Sequence, residues 1–286
     1  MAENIHNPAL RRFRDIGMML NTMAVESPSS AGEAAFRLFC TPQKLPVSET
    51  DVAFLTTARL SGFHIEGLTI RSYLWESSTP NAPTVLFLHG WESNAARWYK
   101  FVRAALEAGF RVQAFDAPAS GNSEGQLLNV LLYSRTIKEF LDKSGAPFAI
   151  VAHSLGAAAA VMSLALLDTK RPQKMVIIAS FAESSRVLRD FAQIVGANES
   201  VLQALFQHIE RQSGLAVEDY SVSKKAAELT DIDGFVLHDF YDEVAPVSEG
   251  LAIAESWGCR FLETRGFGHR MQDKIVVEEV IKFLKA

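Results

Sequence analysis

Short, mostly apolar runs recur along the second two-thirds of the chain, at residues 85–88, 112–115, 148–152, 175–179, 235–238 and 260–263. Between them lie amphipathic stretches such as AARWYKFVRAALEAG, LLNVLLYSRTIKEFLDKSG and PVSEGLAIAESWG. A run with no polar alternation has to be covered on both faces, and a run, a helix and another run make a crossover unit. The rhythm therefore predicts an α/β protein whose mostly parallel central sheet carries helices on both sides. Upstream, FHIEGLTIRSYLWE alternates around Gly67, as two antiparallel strands joined by a tight turn would. That pair puts one reversed strand near an edge of the sheet. In such sheets ligands bind beyond the carboxyl ends of the strands, so each strand end is read for chemistry.

One spacing departs from the rhythm. Between Ser180 and Asp231 there is no clear strand, only helical patterns such as ESSRVLRDFAQIVG and ESVLQALFQHIERQSG. This predicts a helical cap inserted over residues 181–230, above the strand ends and not separately folding. Residues 1–60 read as a helical and irregular extension. In it Ile5, Leu10, Phe13, Ile16, Met19 and Leu20 line one side of a helix, with Arg11, Arg12 and Arg14 around the other. Asp15 and the shortness of the basic cluster favour docking on the protein body over a membrane surface. The expectation is one domain over all 286 residues, whose 48% hydrophobic content supports a large core.

The net charge of -5, with no basic block, argues against a nucleic-acid partner. Cys40 and Cys259 form neither a disulfide framework nor a metal-ligand spacing. No segment approaches the roughly 20 apolar residues of a membrane span, and the N-terminal stretch lacks the apolar core of a secretory signal. A cytoplasmic protein without stable membrane insertion is expected; a homodimer is left open.

At the strand ends, HGWESN follows the first crossover strand, where Gly90 permits a sharp turn and the Trp91 N–H could face a developing oxyanion. A plain strand-to-helix turn fits the same residues. In FDAPASGNSEG, Asp116 is expected to pin its loop through backbone N–H groups. AHSLGAAAA sits where a strand meets a helix. The sharp turn that exposes a nucleophilic serine usually reads G-x-S-x-G, and here Ala152 stands at the first glycine. Taken alone, Ser154 could be an ordinary helix cap.

Partners decide between these. A serine hydroxyl needs an adjacent base, and the base needs an orienting carboxylate. The segment HDFYDEVAP offers Asp239, Asp242 and Glu243, and ETRGFGHRM ends in His269. Asp242 is the preferred acid, one short turn past its strand; Asp239 is expected to tie the loop down, and Glu243 to point away. His153 is expected to turn from Ser154 into sheet packing, and His89 to fix the loop before Trp91. His238 ends a strand, while His6, His64 and His208 have no catalytic neighbours in sequence.

These motifs, LFLHGW, FDAPASGNSEG, VAHSLG, HDFYDEVAP and GFGHRM in that order, resemble the serine hydrolases of the α/β-hydrolase superfamily, of the esterase, monoacylglycerol-lipase and serine-aminopeptidase kind. The likeness runs from about Phe63 to the C-terminus. It implies an α/β-hydrolase fold with Ser154 as nucleophile, His269 as base, Asp242 as its orienter, and the Trp91 and Leu155 N–H groups as oxyanion hole. It implies a small-molecule acyl ester as substrate, an acyl-serine intermediate, and neither metal nor organic cofactor. A thioesterase, a peptidase, an acyltransferase or a non-catalytic ligand-binding protein are the alternatives. Ala152 and residues 1–60 depart from the family pattern. The apolar cap residues Val187, Leu188, Phe191, Ile194, Val201, Leu202, Leu205 and Phe206 would roof an apolar pocket or simply pack the cap.

Overall fold

The computed structural model describes residues 8–44 and 46–286, with backbone only for residues 8–12. Ile5, His6 and the side chains of Leu10, Arg11 and Arg12 lie outside the described residues. The strands are β1 (Arg59–Ile65), β2 (Leu68–Trp75), β3 (Thr84–Leu88), β4 (Arg111–Phe115), β5 (Ala149–His153), β6 (Lys174–Ile178), β7 (Asp233–Asp239) and β8 (Arg260–Thr264). The first helices are α1 (Pro8–Glu26), α2 (Pro28–Phe39), α3 (Glu49–Leu55), α4 (Tyr99–Glu107), α5 (Val130–Ser144) and α6 (Leu155–Leu166). After them come α7 (Ser184–Val195), α8 (Glu199–Ser213), α9 (Val222–Ala226), α10 (Val247–Trp257) and α11 (Lys274–Lys285). Contacts divide the chain into two compact units: Pro42–Ala182 with Val222–Ala286, and the N-terminal segment through Thr41 with Glu183–Ser221.

The larger unit holds one sheet in the order β1-β2-β4-β3-β5-β6-β7-β8. β2 runs antiparallel to both β1 and β4, and the remaining pairs are parallel. The reversed strand near one edge is the one the alternating segment predicts. Its hairpin turns through Glu66 (φ 48) and Gly67 (φ 79), the two positive-φ positions of a tight turn whose twist matches the strands. The strand begins at Arg59, four residues ahead of the Phe63 at which the alternation starts; its opening half is exposed, so hydropathy carries little signal there.

Alternate residues of the central strands fill one core, where Val85, Phe87, Val112, Ala114, Val151, Val176, Phe235 and Leu237 meet α3, α4 and α11. Trp98, Phe101 and Phe87 form its aromatic centre, with ring centroids 5.0 Å (Phe87–Trp98) and 5.1 Å (Trp98–Phe101) apart. The opposite-facing strand residues Leu86, Ile150, Met175, Ile177 and Val236 are equally buried, on the side where α5, α6, α9 and α10 pack on one another and on the sheet. Register aligns the strand ends: Leu88 pairs with Ala152, His153 with Ile178, and Asp239 with Thr264. Every loop that carries a candidate residue leaves from that one edge.

The smaller unit is helical, built from α1, α2, α7, α8 and the 3₁₀ turn Val217–Tyr220. The inserted segment thus packs with the N-terminal helices, and residues 1–60 divide, with α3 belonging to the larger unit. Gly17 and Gly32 explain the close packing. A Cβ on Gly17 would lie 2.0 Å from the Val195 carbonyl oxygen, and one on Gly32 2.3 Å from that of Ala204. The inward face of α1 is Ile16, Gly17, Leu20 and Ala24, whereas Phe13 and Met19 are exposed. The expected stripe is therefore partly displaced, because the helix turns its glycine, not its largest side chains, toward α7. Leu188, Val201, Leu202 and Leu205 are buried in this unit's own core with Leu20, Ala31 and Ala35. Phe191 stacks edge-on to Phe39 at 5.2 Å, and Ile194 is exposed. Most of the apolar residues expected to roof a pocket are occupied in packing the helices together. No helix among the described residues is long and apolar enough to cross a membrane.

Candidate active site

The site begins at the bend between β5 and α6. Ser154 holds φ 51 and ψ -124, a conformation costly for any residue with a Cβ and most often kept at functional sites. The bend is locked by neighbours: the Ser154 N–H donates to the Ile178 carbonyl (2.9 Å), and the Ser154 carbonyl accepts from Ala157 (2.9 Å) and Ala158 (3.1 Å). Its side chain makes no capping hydrogen bond, so Ser154 is not the ordinary helix start that the sequence left open. Gly156 is required by space, because a Cβ there would lie 2.3 Å from the His89 carbonyl oxygen and 2.8 Å from that of Leu88. Ala152 is fully buried between β3 and β6, and its methyl is accommodated. Small residues Ala157 to Ala160, all buried, let α6 lie close on the sheet.

His269 lies in the loop between β8 and α11. Its Nε2 is 3.2 Å from the Ser154 Oγ, and its Nδ1 is 2.8 Å from the Asp242 Oδ2. Asp242 follows β7 and its side chain is fully buried. Its Oδ1 accepts the N–H groups of Val244 (2.8 Å) and Ala245 (2.9 Å). Burial alone would raise the Asp242 pKa, but hydrogen bonds from His238, His269 and the Ala245 N–H outweigh it and hold the carboxyl well below its ordinary value. An ionised carboxylate only accepts, so Nδ1 of His269 carries the proton and Nε2 presents a lone pair to Ser154. Serine, imidazole and carboxylate thus stand in the geometry of proton abstraction from Oγ.

The turn after β3 closes the other side. A Cβ on Gly90 would be 2.8 Å from His153 Nδ1 and 3.0 Å from Ser154 Cβ, so the Gly90–Trp91 peptide abuts the serine only because residue 90 has no side chain. His89 holds this turn. The Ala117 N–H donates to its Nε2 (2.9 Å), which leaves the proton on Nδ1 for the Gly90 carbonyl at 2.8 Å. Burial pushes the His89 pKa down, consistent with that neutral tautomer. Leu155 is the first residue of α6, and the first N–H groups of a helix have no partner within it.

The supporting carboxylates are where the sequence reading puts them. Asp116 accepts from the Ala95 N–H, the Asn122 N–H and the Tyr73 hydroxyl, each at 2.8 Å. Asp239 accepts from Thr264 Oγ1 (2.8 Å) and from the N–H groups of Phe267 (3.0 Å), Tyr241 (3.0 Å) and Gly266 (3.3 Å). Burial works against its ionisation, yet these donors keep its pKa below the ordinary value. Asp239 thereby pins the loop that delivers His269, and Glu243 is exposed.

His153 departs from expectation. It packs edge-on against the His269 ring, centroids 4.8 Å apart, and its Nε2–H donates to the His269 carbonyl at 2.8 Å. Burial, with Arg97 and His269 nearby, lowers its pKa well below that of a free imidazole. Arg97 Nη2 donates to the Arg270 carbonyl (2.9 Å) and Lys100 Nζ to that of Gln272 (3.1 Å). Three carbonyls of the His269 loop, those of His269, Arg270 and Gln272, are thus gripped from β5 and from the segment after β3. The sequence carries no local signal for Arg97 or Lys100, because their partners lie about 170 residues away. His238 adds a second imidazole beside Asp242, with Nε2 3.2 Å from Oδ2. A histidine four residues before the preferred acid was the one available cue. Among the described residues, no cluster of His, Cys, Asp or Glu could hold a metal ion.

Comparison with known proteins agrees with this architecture. A family model described as the alpha/beta hydrolase family matches residues 85–276. No curated protein matches. Among solved structures, a putative lipase from Acinetobacter baumannii is similar at TM-score 0.60 and 14% identity, covering 85% of this chain and 97% of that one. An esterase from Pyrococcus furiosus gives TM-score 0.59 and 18% identity over 86% of this chain and 97% of that one. An enol-lactonase from Burkholderia xenovorans gives 0.61 and 15% over 79% and 100%. At such identities the likeness is one of fold.

Proposed function

This chain belongs to the alpha/beta hydrolase family, and from that premise we propose that it is a serine hydrolase cleaving a carboxylic ester through an acyl-Ser154 intermediate. The observation that carries the reading is the relay from Ser154 Oγ to His269 Nε2 at 3.2 Å and from His269 Nδ1 to Asp242 at 2.8 Å. The strained backbone of Ser154 (φ 51) supports it, since a mere helix cap has no need of that conformation. In the proposed cycle His269 Nε2 takes the Oγ proton as Oγ attacks the acyl carbon. The Trp91 and Leu155 N–H groups receive the oxyanion, an arrangement worth about 3–4 kcal/mol per donor in a comparable site. His269 then protonates the leaving alcohol, and the C–O bond to it breaks. Water, deprotonated by the same imidazole, releases the acid and restores Ser154. Asp242 stays ionised throughout and fixes the imidazole tautomer.

The similar structures include a putative lipase, an esterase and an enol-lactonase, which favours an ester over an amide as the substrate class. The test is a panel of p-nitrophenyl esters, thioesters and aminoacyl amides, with fluorophosphonate labelling alongside. Ser154→Ala should abolish labelling and lower turnover by roughly 10⁴-fold or more. An unchanged rate in that variant would overturn the assignment. Turnover confined to the thioester or amide arm would replace the ester as substrate while leaving the serine chemistry in place.

A further inference from the structure

Four donors surround the Asp242 carboxylate, and they differ in what anchors them. The Val244 and Ala245 N–H groups belong to the same short turn as Asp242, so they move with it. His269 is the group to be oriented. His238 alone comes from the sheet, as the penultimate residue of β7. Its Nε2 lies 2.8 Å from the Ala245 carbonyl and 3.2 Å from Asp242 Oδ2. Both are acceptors, so that nitrogen carries the ring's proton. The other edge of the ring is fixed as firmly: a Cβ on Gly250 of α10 would lie 2.4 Å from His238 Nδ1, a buried nitrogen with no hydrogen-bond partner among the described residues. Asp242 faces the ring from the acid loop, and the uncharged Gly250 faces it from α10.

We propose that His238 is a positioning residue for Asp242, its Nε2–H holding both the carboxylate and the turn that carries it in register with His269. The inference rests on the serine-hydrolase reading above. By sharing Oδ2 with His269, His238 also draws off part of the charge that would otherwise stabilise the His269 imidazolium.

The experiment compares His238→Met, which fills similar space without a donor, with His238→Gln, which restores an N–H near the same point. Kinetics use whichever p-nitrophenyl ester is active, and the low-field proton resonance of His269 Nδ1–H is recorded for each protein. His238→Met should lower kcat about tenfold or more, as loss of a hydrogen bond to a charged group does, with KM within about twofold. The acid limb of kcat/KM should move to higher pH and the resonance should shift. His238→Gln should recover kcat to within about threefold of wild type, since the donor is back. If His238→Met does not fold, His238→Asn, too short to reach both acceptors, replaces it with the same expectations. A folded Met or Asn variant with wild-type kcat, pH limb and resonance overturns the proposal, as does a Gln variant that falls as far as Met or Asn. Retained activity in Ser154→Ala would instead sink the serine-hydrolase reading, and the resonance would still decide His238.

Discussion

Replacing Asp242 by asparagine changes one atom and, in this site, should reverse the imidazole. The two N–H groups of Val244 and Ala245, at 2.8 and 2.9 Å, demand an acceptor at the Oδ1 position, so the amide oxygen is drawn there. The amide NH₂ then falls at the Oδ2 position, 2.8 Å from His269 Nδ1 and 3.2 Å from His238 Nε2, whose proton keeps the Ala245 carbonyl as its acceptor. A donor facing a donor is untenable, and His269 adopts the tautomer with its proton on Nε2. That proton points at Ser154 Oγ, where a lone pair is needed, and the base is lost without any change in packing. In a comparable triad this reversal costs about 10⁴-fold in kcat, ~5.4 kcal/mol of transition-state stabilisation. The fold should survive, with stability reduced by about 1–3 kcal/mol for the weakened charge-assisted bonds. Fluorophosphonate labelling of Ser154 gives the rate without knowledge of the natural substrate, and urea titration gives the stability. An Asp242→Asn protein that labels within tenfold of wild type would refute the tautomer argument.

Two further outcomes test the scaffold. In Gly156→Ala the new methyl would sit 2.3 Å from a backbone oxygen of the turn before Gly90. Helix α6 must therefore withdraw, lowering the urea midpoint by the equivalent of about 1–3 kcal/mol and slowing turnover as the Leu155 and Trp91 N–H groups separate; an unmoved midpoint contradicts the packing argument. The second outcome concerns pH. His89 and His153 have pKa values lowered by burial, so the unfolded chain takes up protons near pH 6.5 that the fold resists. Their stabilisation is complete above about pH 6.5 and fades as pH falls toward the folded values, with a slope of up to about 2.7 kcal/mol per pH unit for two protons. Asp239 and Asp242, both depressed, add a second loss below about pH 4. Urea midpoints from pH 8 to 3 should fall in these two stages, and a flat response between pH 7 and 5 would contradict the burial of the two imidazoles.

The sheet and the candidate residues were legible for a common reason. Strands covered on both faces need unbroken apolar runs, and the chain after each run must turn at one edge. The polar groups of AHSLG, HDFYD and GFGHR follow the apolar runs of β5, β7 and β8, so their places along the chain already implied a shared edge. Within HDFYDEVAP, local chemistry could also separate the two aspartates, since Asp239 lies at the strand end with backbone N–H groups within reach of it.

What only the tertiary structure decided are relations between distant segments. The partnership of the N-terminal helices with residues 183–221 depends on Gly17 and Gly32 meeting carbonyls of Val195 and Ala204, and a glycine in a helix does not announce its partner. The grip of His153, Arg97 and Lys100 on the His269 loop uses backbone carbonyls, which every residue possesses and no motif marks. Side-chain identity and spacing along the chain therefore determined which groups could do chemistry. The close approach of backbones and the choice among equivalent carbonyls decided how those groups are held, because both depend on the packed chain and not on any one stretch of it.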